Sequence, residues 1–461
     1  MTMKSAAGAD RMGTAPVGKL LITMAVPMML SMLVQALYNV VDSIFVARLS
    51  EDALTSVSLA FPVQNIMIAI AVGLGVGVSA LISRMLGMGE RDKANRLAMQ
   101  GYFLCTVSVV IFIFVGLFVA EPFATGQVDL TAENGVAIRD GCVDYLRIVC
   151  IFSPGIFYQC LEEKLFSATS KTMYTMLIQM SGALVNIILD PIMIFGLFGC
   201  PAFGIKGAAY ATVIGQIFGA ILGLYLCIKK NEDLKLKLAY IKPDFKMTLN
   251  ILQISIPTIL MSAIGSILTY VLNIILIGFS STAVAVYGSY FKLQSFIFMP
   301  IFGLNNGMVP IIAYNYGAGN RERIHRTVKL SMTAAVVIML CGMAVFNLFP
   351  EQLLMMFSAS EEMLEIGVPA FKTISLSFAT AGICIISGTV CQAFGYAFYS
   401  LLTSFARQML VLLPSIYLLS LTGVLSNIWY AWLIAEVVAL TLSMILLRRV
   451  FRKTGMSLKK T

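Results

Sequence analysis

Apolar stretches of about 20 residues or more follow one another along the chain, each separated from the next by a short polar segment. A helix needs about 20 residues to cross a hydrocarbon core of about 30 Å, so each stretch predicts one membrane-spanning helix. The twelve predicted spans are residues 20–47, 55–84, 97–120, 138–161, 173–198, 206–228, 249–278, 285–314, 328–349, 364–390, 398–421 and 426–448. The pattern therefore predicts an all-α membrane protein.

The second half of the chain repeats the first. The segment GMGERDK at 87–93 returns as GAGNRER at 317–323, and at the same spacing Pro27 matches Pro257. A register without gaps over about sixty residues is a strong repeat signal. Each half holds an even number of spans, so both halves enter the membrane from the same side. We therefore expect two six-helix bundles related by a pseudo-two-fold axis along the membrane normal.

This repeat divides the chain into five parts. They are a cytoplasmic amino-terminal segment at 1–19, an amino-terminal bundle at 20–228, a cytoplasmic linker at 229–248, a carboxy-terminal bundle at 249–448 and a cytoplasmic tail at 449–461.

Composition and charge support a membrane location. Hydrophobic residues make up 59% of the chain and charged residues only 12%, which excludes a soluble protein of this length. The net charge of +9 comes from basic residues on alternate loops, while the opposite loops carry acids that include Asp52, Glu121, Asp129 and Glu133. The basic loop residues include Lys4, Arg84, Arg91, Lys93, Lys229, Lys230, Arg321, Arg323, Arg448, Arg449, Lys459 and Lys460. The positive-inside rule then places both termini of a multi-pass cell-membrane protein in the cytoplasm, with Lys206 as the main exception.

Enzyme chemistry finds little support in the sequence. The nine cysteines lie mostly inside predicted helices, where they serve better as small apolar residues than as a disulfide or metal framework. The one histidine, His325, lies in a basic loop without a catalytic or zinc-binding partner. We expect no enzymatic activity, and no cofactor other than a coupling ion.

Two carboxylates stand inside predicted spans, where each costs about 2.5 to 3.5 kcal/mol on insertion scales. Asp42 ends a polar stripe in span 1, and Asp190 lies four residues after Asn186 in span 5. The stripe comprises Gln35, Tyr38, Asn39 and Asp42, spaced by three and four residues so that they share one helix face. Spans 1 and 5 both run outward if the amino terminus is cytoplasmic, so both acids are expected about 10 to 14 Å below the outer ends of these helices.

The two acids can therefore share one site. Span 4 brings Asp144 and Tyr145 to a comparable level. The alternative interpretation is that these polar side chains only join helices through hydrogen bonds. We favour a functional role for the aspartates, because two negative charges at one depth repel each other unless a proton or cation joins them.

The second half lacks this acid pair. Leu272 stands where the repeat would place an acid matching Asp42, and the remaining charges in its spans are Lys292, Arg407 and Glu436. We expect Arg407 and Glu436 to form a structural ion pair. Lys292 either lines a cavity or extends its ammonium to the membrane surface.

Four features of the sequence are distinctive together: VVDSIFVARL at 40–49, the paired glycine turns, KLFSATSKTMYTM at 164–176 and NIILDPIMIFG at 186–196. On these features, nearly the whole chain resembles the multidrug and toxic compound extrusion (MATE) family of secondary transporters. This resemblance implies a V-shaped pair of six-helix bundles that exports small, organic, cationic drugs in exchange for H⁺ or Na⁺. Such a protein would confer antibiotic resistance, act as a monomer in membrane lipid and bind no nucleic acid.

The resemblance also implies roles for individual residues. The cation-coupling site would comprise Asp42, Asn186, Asp190, Tyr145 and Asn39, with any Na⁺ held by Asp42, Asn186 and Asp190. The substrate cavity would include Gln35, Tyr38, Gln64 and Lys292, and span 1 would bend at Pro27. The alternative within the same superfamily is a flippase for lipid-linked oligosaccharides or other lipids, which would favour arginines lining the cavity.

Overall fold

A computed structural model describes residues 10–128, 130–131, 134–237, 240, 242–357 and 359–456. The predicted loop charges Lys4, Asp129, Glu133, Lys459 and Lys460 lie outside these residues. Within the described part of the chain every regular element is helical. The predicted all-α fold class is confirmed.

The helices run in an order that repeats between the halves. In the first half they are α1 (Asp10–Thr14), α2 (Val17–Leu49), α3 (Glu51–Gly87), α4 (Arg91–Phe114), α5 (Ala120–Thr125), α6 (Gly135–Ile151), α7 (Pro154–Ala168), α8 (Thr172–Phe195) and α9 (Ile205–Lys230). In the second half they are α10 (Phe245–Ile277), α11 (Ser281–Gly317), α12 (Arg321–Leu348), α13 (Pro350–Met355), α14 (Glu361–Ser375), α15 (Phe378–Ala393), α16 (Ala397–Phe405), α17 (Leu413–Ser420), α18 (Leu425–Ile428) and α19 (Ala431–Lys453). Two π-helical turns, Val115–Val119 and Ala406–Leu412, join α4 to α5 and α16 to α17.

Ten helices in the described residues are long and apolar enough to cross a membrane, or up to twelve if each of two bent pairs counts as one span. The bent pairs are α6 with α7 and α14 with α15, each bent by 48°. The sequence predicted one span for each pair and did not predict the bend within it. In the first pair Pro154 starts the new helix, because proline lacks the amide proton that would continue the old one.

The end of α7 differs from the predicted one. The helix α7 continues to Ala168, whereas the predicted span ended at residue 161. The polar sequence Glu162-Glu163-Lys164 therefore lies inside a helix and not at its end. All three side chains are buried, with exposures of 1%, 8% and 7%.

The repeat is visible in local structure. Ser50 and Ser280 each accept a hydrogen bond from the amide of the third residue of the following helix, so α3 and α11 begin with equivalent caps. Gly89 and Gly319, with φ of 78° and 71°, follow the ends of the same two helices. This left-handed backbone is the reason that glycine recurs in both turns.

The chain forms two compact units. Among the described residues, the first lies within 10–12 and 30–255, and the second within 13–29 and 256–456. The long helices α2 and α10 each contribute residues to both units, which divide α2 after Met29 and α10 after Ser255. The five parts drawn from the sequence remain a prediction, and the compact units depart from them in these two helices.

Glycines in α11 allow the first part of α2 to pack closely within the second unit. A Cβ atom on Gly303 would lie 2.5 Å from the Cα atom of Met29, and one on Gly307 would lie 2.8 Å from that of Ala25. Both neighbours are backbone atoms, which cannot rotate away. Small residues at such contacts let two membrane helices approach each other.

We expect Gly303→Ala to lower the thermal stability of the purified protein, because the new methyl group overlaps with the backbone of α2. Overpacking of this kind costs about 1–3 kcal/mol. The matched control is Gly265→Ala in α10, since a Cβ atom there meets nothing within 4 Å. Thermal unfolding in detergent measures both variants, and equal melting temperatures for the two would contradict the packing argument.

Candidate functional site

Two aspartates from different helices of the first unit face each other. Asp190 on α8 is fully buried, and its carboxyl lies within hydrogen-bonding reach of the Asp42 carboxyl on α2. Asn186, one helical turn before Asp190, donates its Nδ2 to Asp190 Oδ1 at 3.4 Å. The structure thus brings together the three residues that the resemblance assigns to a cation.

The site has more acceptors than donors. Asp42 Oδ1, Asp190 Oδ2 and Asn186 Oδ1 are buried, and none of them has a hydrogen-bond partner among the described residues. A buried acceptor without a donor costs about 1–3 kcal/mol, and more when it is charged. A proton shared by the carboxyls, or a cation held by the three oxygens, would remove that cost.

Two further pairs of side chains surround the acids. Thr212 on α9 accepts a hydrogen bond from Asn186 Nδ2 at 3.3 Å and lies close to Tyr38 on α2. Tyr145 on α6 is 2% exposed and lies close to Gln64 on α3. Both tyrosines also lie close enough to Asp42 to interact with its charge. Five helices therefore contribute to one polar cluster.

The sequence of α8 explains how this cluster forms. Pro191 directly follows Asp190 within the helix and removes the amide that would bond the carbonyl of Ile187. On the preceding turns, Gly182 faces Gly215 of α9, where a Cβ atom on Gly215 would lie 2.6 Å from the Gly182 carbonyl oxygen. This close approach brings α9 next to Asn186.

Other predicted site residues lie apart from the acid pair. Gln35 accepts a hydrogen bond from Gln179 on α8 at 2.8 Å, so it joins α2 and α8 away from the carboxyls. Asn39 is exposed, and the structure shows no hydrogen bond from its side chain. Pro27 is buried in the part of α2 that belongs to the second unit, and the role of its bend stays a prediction.

Two charged residues that the sequence analysis considered for the site, Asp144 and Lys292, lie outside the polar cluster. Asp144, which the sequence placed near the acid pair, instead forms an ion pair with Lys206 at 3.1 Å. This pairing accounts for the position of Lys206 on an otherwise acidic set of loops. Lys292 belongs to the second unit, where it is exposed and its ammonium lies 6.0 Å from the ring centre of Phe357.

The second unit contains the predicted ion pair. Arg407 Nη1 lies 2.9 Å from Glu436 Oε1, and their side chains are 24% and 8% exposed. Arg407 belongs to the π-helical turn Ala406–Leu412, and such turns often mark functional positions. Here the guanidinium and the carboxylate neutralise each other.

Sequence reasoning missed three buried polar residues of the first unit that matter for the sites: Thr212, Gln179 and Glu162. Thr212 accepts a hydrogen bond from Asn186, and Gln179 donates one to Gln35, but a single threonine or glutamine in an apolar span gives no signal of its own. Glu162 escaped notice because the predicted span ended one residue before it. Its charge would have been a signal if the end of the helix had been known.

The donor set fits a hard cation or a proton. No group of three or more His, Cys, Asp or Glu side chains that could hold a metal ion occurs in the part of the chain that the structure describes. Carboxylate and amide oxygens suit hard cations, whereas transition metals prefer nitrogen and sulfur ligands. The three unpartnered oxygens therefore fit Na⁺ or H⁺.

Comparison with known proteins gives the family. The model of the MatE family matches residues 27–192 and 257–418, most of both halves of the chain. The chain belongs to the MATE family. MATE proteins are transporters and not enzymes, so this chain is a multi-pass membrane transporter. The two matched segments begin at Pro27 and Pro257, the residues that first define the repeat.

Relatives with curated names cover almost the whole chain. "Multidrug export protein MepA" of Staphylococcus haemolyticus is 29% identical over 434 residues, which is 92% of each chain. "FAD transporter" of Shewanella oneidensis is 26% identical over 407 residues, which is 88% of this chain and 89% of that one. A solved outward-facing MATE transporter matches the fold with a TM-score of 0.90 at 24% identity, covering 98% of this chain and all of the other.

We expect Asp190→Asn to raise the thermal stability of this MATE protein in sodium-free buffer at alkaline pH. The amide keeps an oxygen that can accept from Asn186 but removes one of two facing negative charges, a gain of about 1 kcal/mol or more. The matched control is Asp144→Asn, which lies at the surface in an ion pair. Thermal unfolding in detergent gives the comparison, and a less stable Asp190→Asn variant would contradict a repulsive acid pair.

Proposed function

We propose that the protein is a secondary active multidrug efflux transporter that exports organic cations by antiport with H⁺ or Na⁺. The coupling ion binds at Asp42, Asn186 and Asp190 in the amino-terminal bundle. The observation that carries the proposal is the set of three buried oxygens without donors, one on each of these residues. Relatives named as multidrug export proteins support small organic molecules as the cargo.

The charge of the pair supplies the coupling. Two carboxylates in contact attract one cation strongly and lose that attraction once the charge is neutralised. A proton or Na⁺ at the pair therefore weakens binding of an organic cation nearby, and an organic cation opposes binding of the ion. Such reciprocal exclusion is the thermodynamic requirement of antiport.

Alternating access would follow from movement of α2 and α8, the helices that carry the two acids. Each contains a proline, Pro27 and Pro191, that removes one backbone hydrogen bond and makes bending less costly. By the positive-inside rule both termini are cytoplasmic, so the acid pair lies in the outer half of the membrane. Release of the drug and entry of the ion would then both take place at the outer side of the membrane.

Drug uptake into inside-out vesicles, which corresponds to efflux from the cell, tests the coupling site. With separate H⁺ and Na⁺ gradients, we expect the parent to move drug under at least one gradient. Asp42→Asn and Asp190→Asn should each reduce gradient-driven efflux by about tenfold or more, because a neutral amide can neither take up a proton at working pH nor balance a sodium charge. Fluorescence of an organic cation such as ethidium reports the transport.

The control for both variants is Asp144→Asn, which removes an acid of the same bundle outside the cluster and should leave efflux unchanged. Retained gradient-driven efflux in Asp42→Asn or Asp190→Asn would reject the proposed site. The gradient that drives the parent identifies the coupling ion.

A second candidate substrate class is a pyrophosphate-bearing anion, as in the lipid-linked alternative from the sequence. The observation that favours it is the similarity to a protein named as an FAD transporter. Guanidinium groups are the usual partners of phosphates, yet Arg407 in the second unit is already paired with Glu436. We therefore rank organic cations first.

Ligand-dependent stabilisation separates the two classes. We expect an organic cation such as ethidium to raise the melting temperature of the purified protein, and FAD or a lipid-linked pyrophosphate to leave it unchanged. Asp42→Asn should remove the effect of the cation. Stabilisation by the pyrophosphate compounds alone would reverse the ranking.

A further inference from the structure

Glu162 is a further buried acid of the first unit, far along the bundle from the Asp42–Asp190 pair. Glu162 on α7 is 1% exposed, six residues before the helix ends at Ala168, or about 9 Å from that end. Asp190 lies 18 residues after α8 begins at Thr172, which corresponds to about 27 Å. Since a three-residue turn joins the two helices, the acids are separated by about 18 Å along the bundle.

Glu162 has one hydrogen-bond donor. Tyr102 on α4 donates its hydroxyl to Glu162 Oε1 at 3.1 Å. The other oxygen, Oε2, is buried and has no partner. An ionised carboxylate can accept about four hydrogen bonds. In this position most of its lone pairs would therefore have no donor.

No positive charge compensates Glu162. No lysine or arginine nitrogen of the described residues lies within 4.0 Å of its oxygens. The titratable and charged groups that face it are Tyr102 and Cys105 from α4, Glu163 from its own helix and Cys227 from α9. Lys164 interacts with Glu163, the other acid of the same helix.

The side chains around Glu162 suit a proton better than a metal ion. Gly223 of α9 packs directly against the carboxylate, and a methyl group there would overlap with Glu162 Oε2 and lie 3.1 Å from its Cβ atom. Sodium in proteins takes several oxygen ligands, and the groups here offer one hydroxyl and two thiols beside the carboxylate. A proton needs only the unpartnered oxygen.

The acid also lies near an end of the bundle. Cys227, which faces Glu162, is three residues from the end of α9 at Lys230, or about 5 Å along the helix. At that end Lys171 donates to the carbonyl of Lys230 at 2.6 Å. A proton therefore has a short distance to travel between the end of the bundle and the carboxylate.

From this geometry we infer that Glu162 is a second proton-binding site of the transporter, separate from the Asp42–Asp190 pair. It takes up and releases a proton near the opposite end of the amino-terminal bundle. The site itself does not depend on the proposed drug antiport, but its part in transport rests on that proposal. The alternative is that a permanently neutral Glu162 only links α7 to α4.

Difference infrared spectroscopy of the full chain in lipid nanodiscs tests the site directly. The background variant Asp42→Asn/Asp190→Asn removes the carboxyl bands of the pair. During a pH titration we expect a protonated-carboxyl band to remain in this background, to be lost on adding Glu162→Gln, and to persist on adding Glu163→Gln. Glutamine retains the shape of Glu162 and an oxygen that accepts from Tyr102, so the fold has no reason to change.

Two tyrosine variants provide a matched control. Tyr102→Phe removes the donor to Glu162 and should shift the midpoint of the infrared titration. The ring of Tyr158 lies 5.9 Å from the ring of Tyr102, but its hydroxyl bonds Thr106 and not Glu162. Tyr158→Phe should therefore cause no shift. Equal midpoints in the two variants would show that the band does not belong to Glu162.

The efflux assay then tests the role in transport. Glu162→Gln should change the pH profile of drug efflux while drug binding, measured by thermal shift, stays within about twofold of the parent. A Glu162 band that never titrates, or an unchanged pH profile, would overturn the inference. Titration of Glu162 together with normal efflux in Asp42→Asn and Asp190→Asn would instead reject the proposed coupling site and leave this proton site standing.

Discussion

A carboxylate inside a membrane-spanning bundle requires a proton, a cation or a full set of donors, and the first unit of this protein supplies none of these completely. Asp42 and Asp190 face each other with one unpartnered oxygen each, and Glu162 has a single hydroxyl donor. The cost of leaving such groups ionised is several times the thermal energy. Exchange of protons or cations at these positions, as we propose, would remove this cost.

The second unit meets the same constraint in another way. Its buried acid, Glu436, receives a permanent positive partner from Arg407 of the same unit. An arginine stays protonated at any physiological pH, so this pair needs no exchangeable ion. The repeat therefore provides two similar scaffolds, and in our proposal only the first carries exchangeable charge. Antiport of an ion requires only one such scaffold, provided that the other moves with it.

Much of the fold could be predicted from the sequence because its signals are local. Hydropathy and the register from Pro27 to Pro257 predict the all-α class, the repeat and nearly every span. Spacings of three and four residues placed Tyr38 with Asp42, and Asn186 with Asp190, on shared faces, and the depth estimate brought the two acids together. Each of these inferences needs only the geometry of a single helix and the thickness of a membrane.

What the sequence could not provide depends on contacts between helices. The helix α7 ends seven residues beyond the predicted span, so Glu162 became visible as a buried acid only in the structure. Tyr145 lies in the polar cluster whereas the adjacent Asp144 pairs with Lys206, a choice that a rotation of about 100° between neighbouring helix positions decides. The exposure of Asn39 and the division of α2 between two units are likewise properties of packing.

One helix contacts both acidic sites of the first unit. On α9, Thr212 bonds Asn186 beside Asp190, while Gly223 lies against Glu162. Gly215, Gly219 and Gly223 recur every four residues and form one stripe, which packs against Asn186, Gln159 and Glu162 in turn. The glycines let α9 pack closely against α7 and α8. A shift of α9 relative to these helices therefore changes the surroundings of both sites together. In our proposals, ion occupancy at one end of the bundle and protonation at the other are coupled through the position of this single helix.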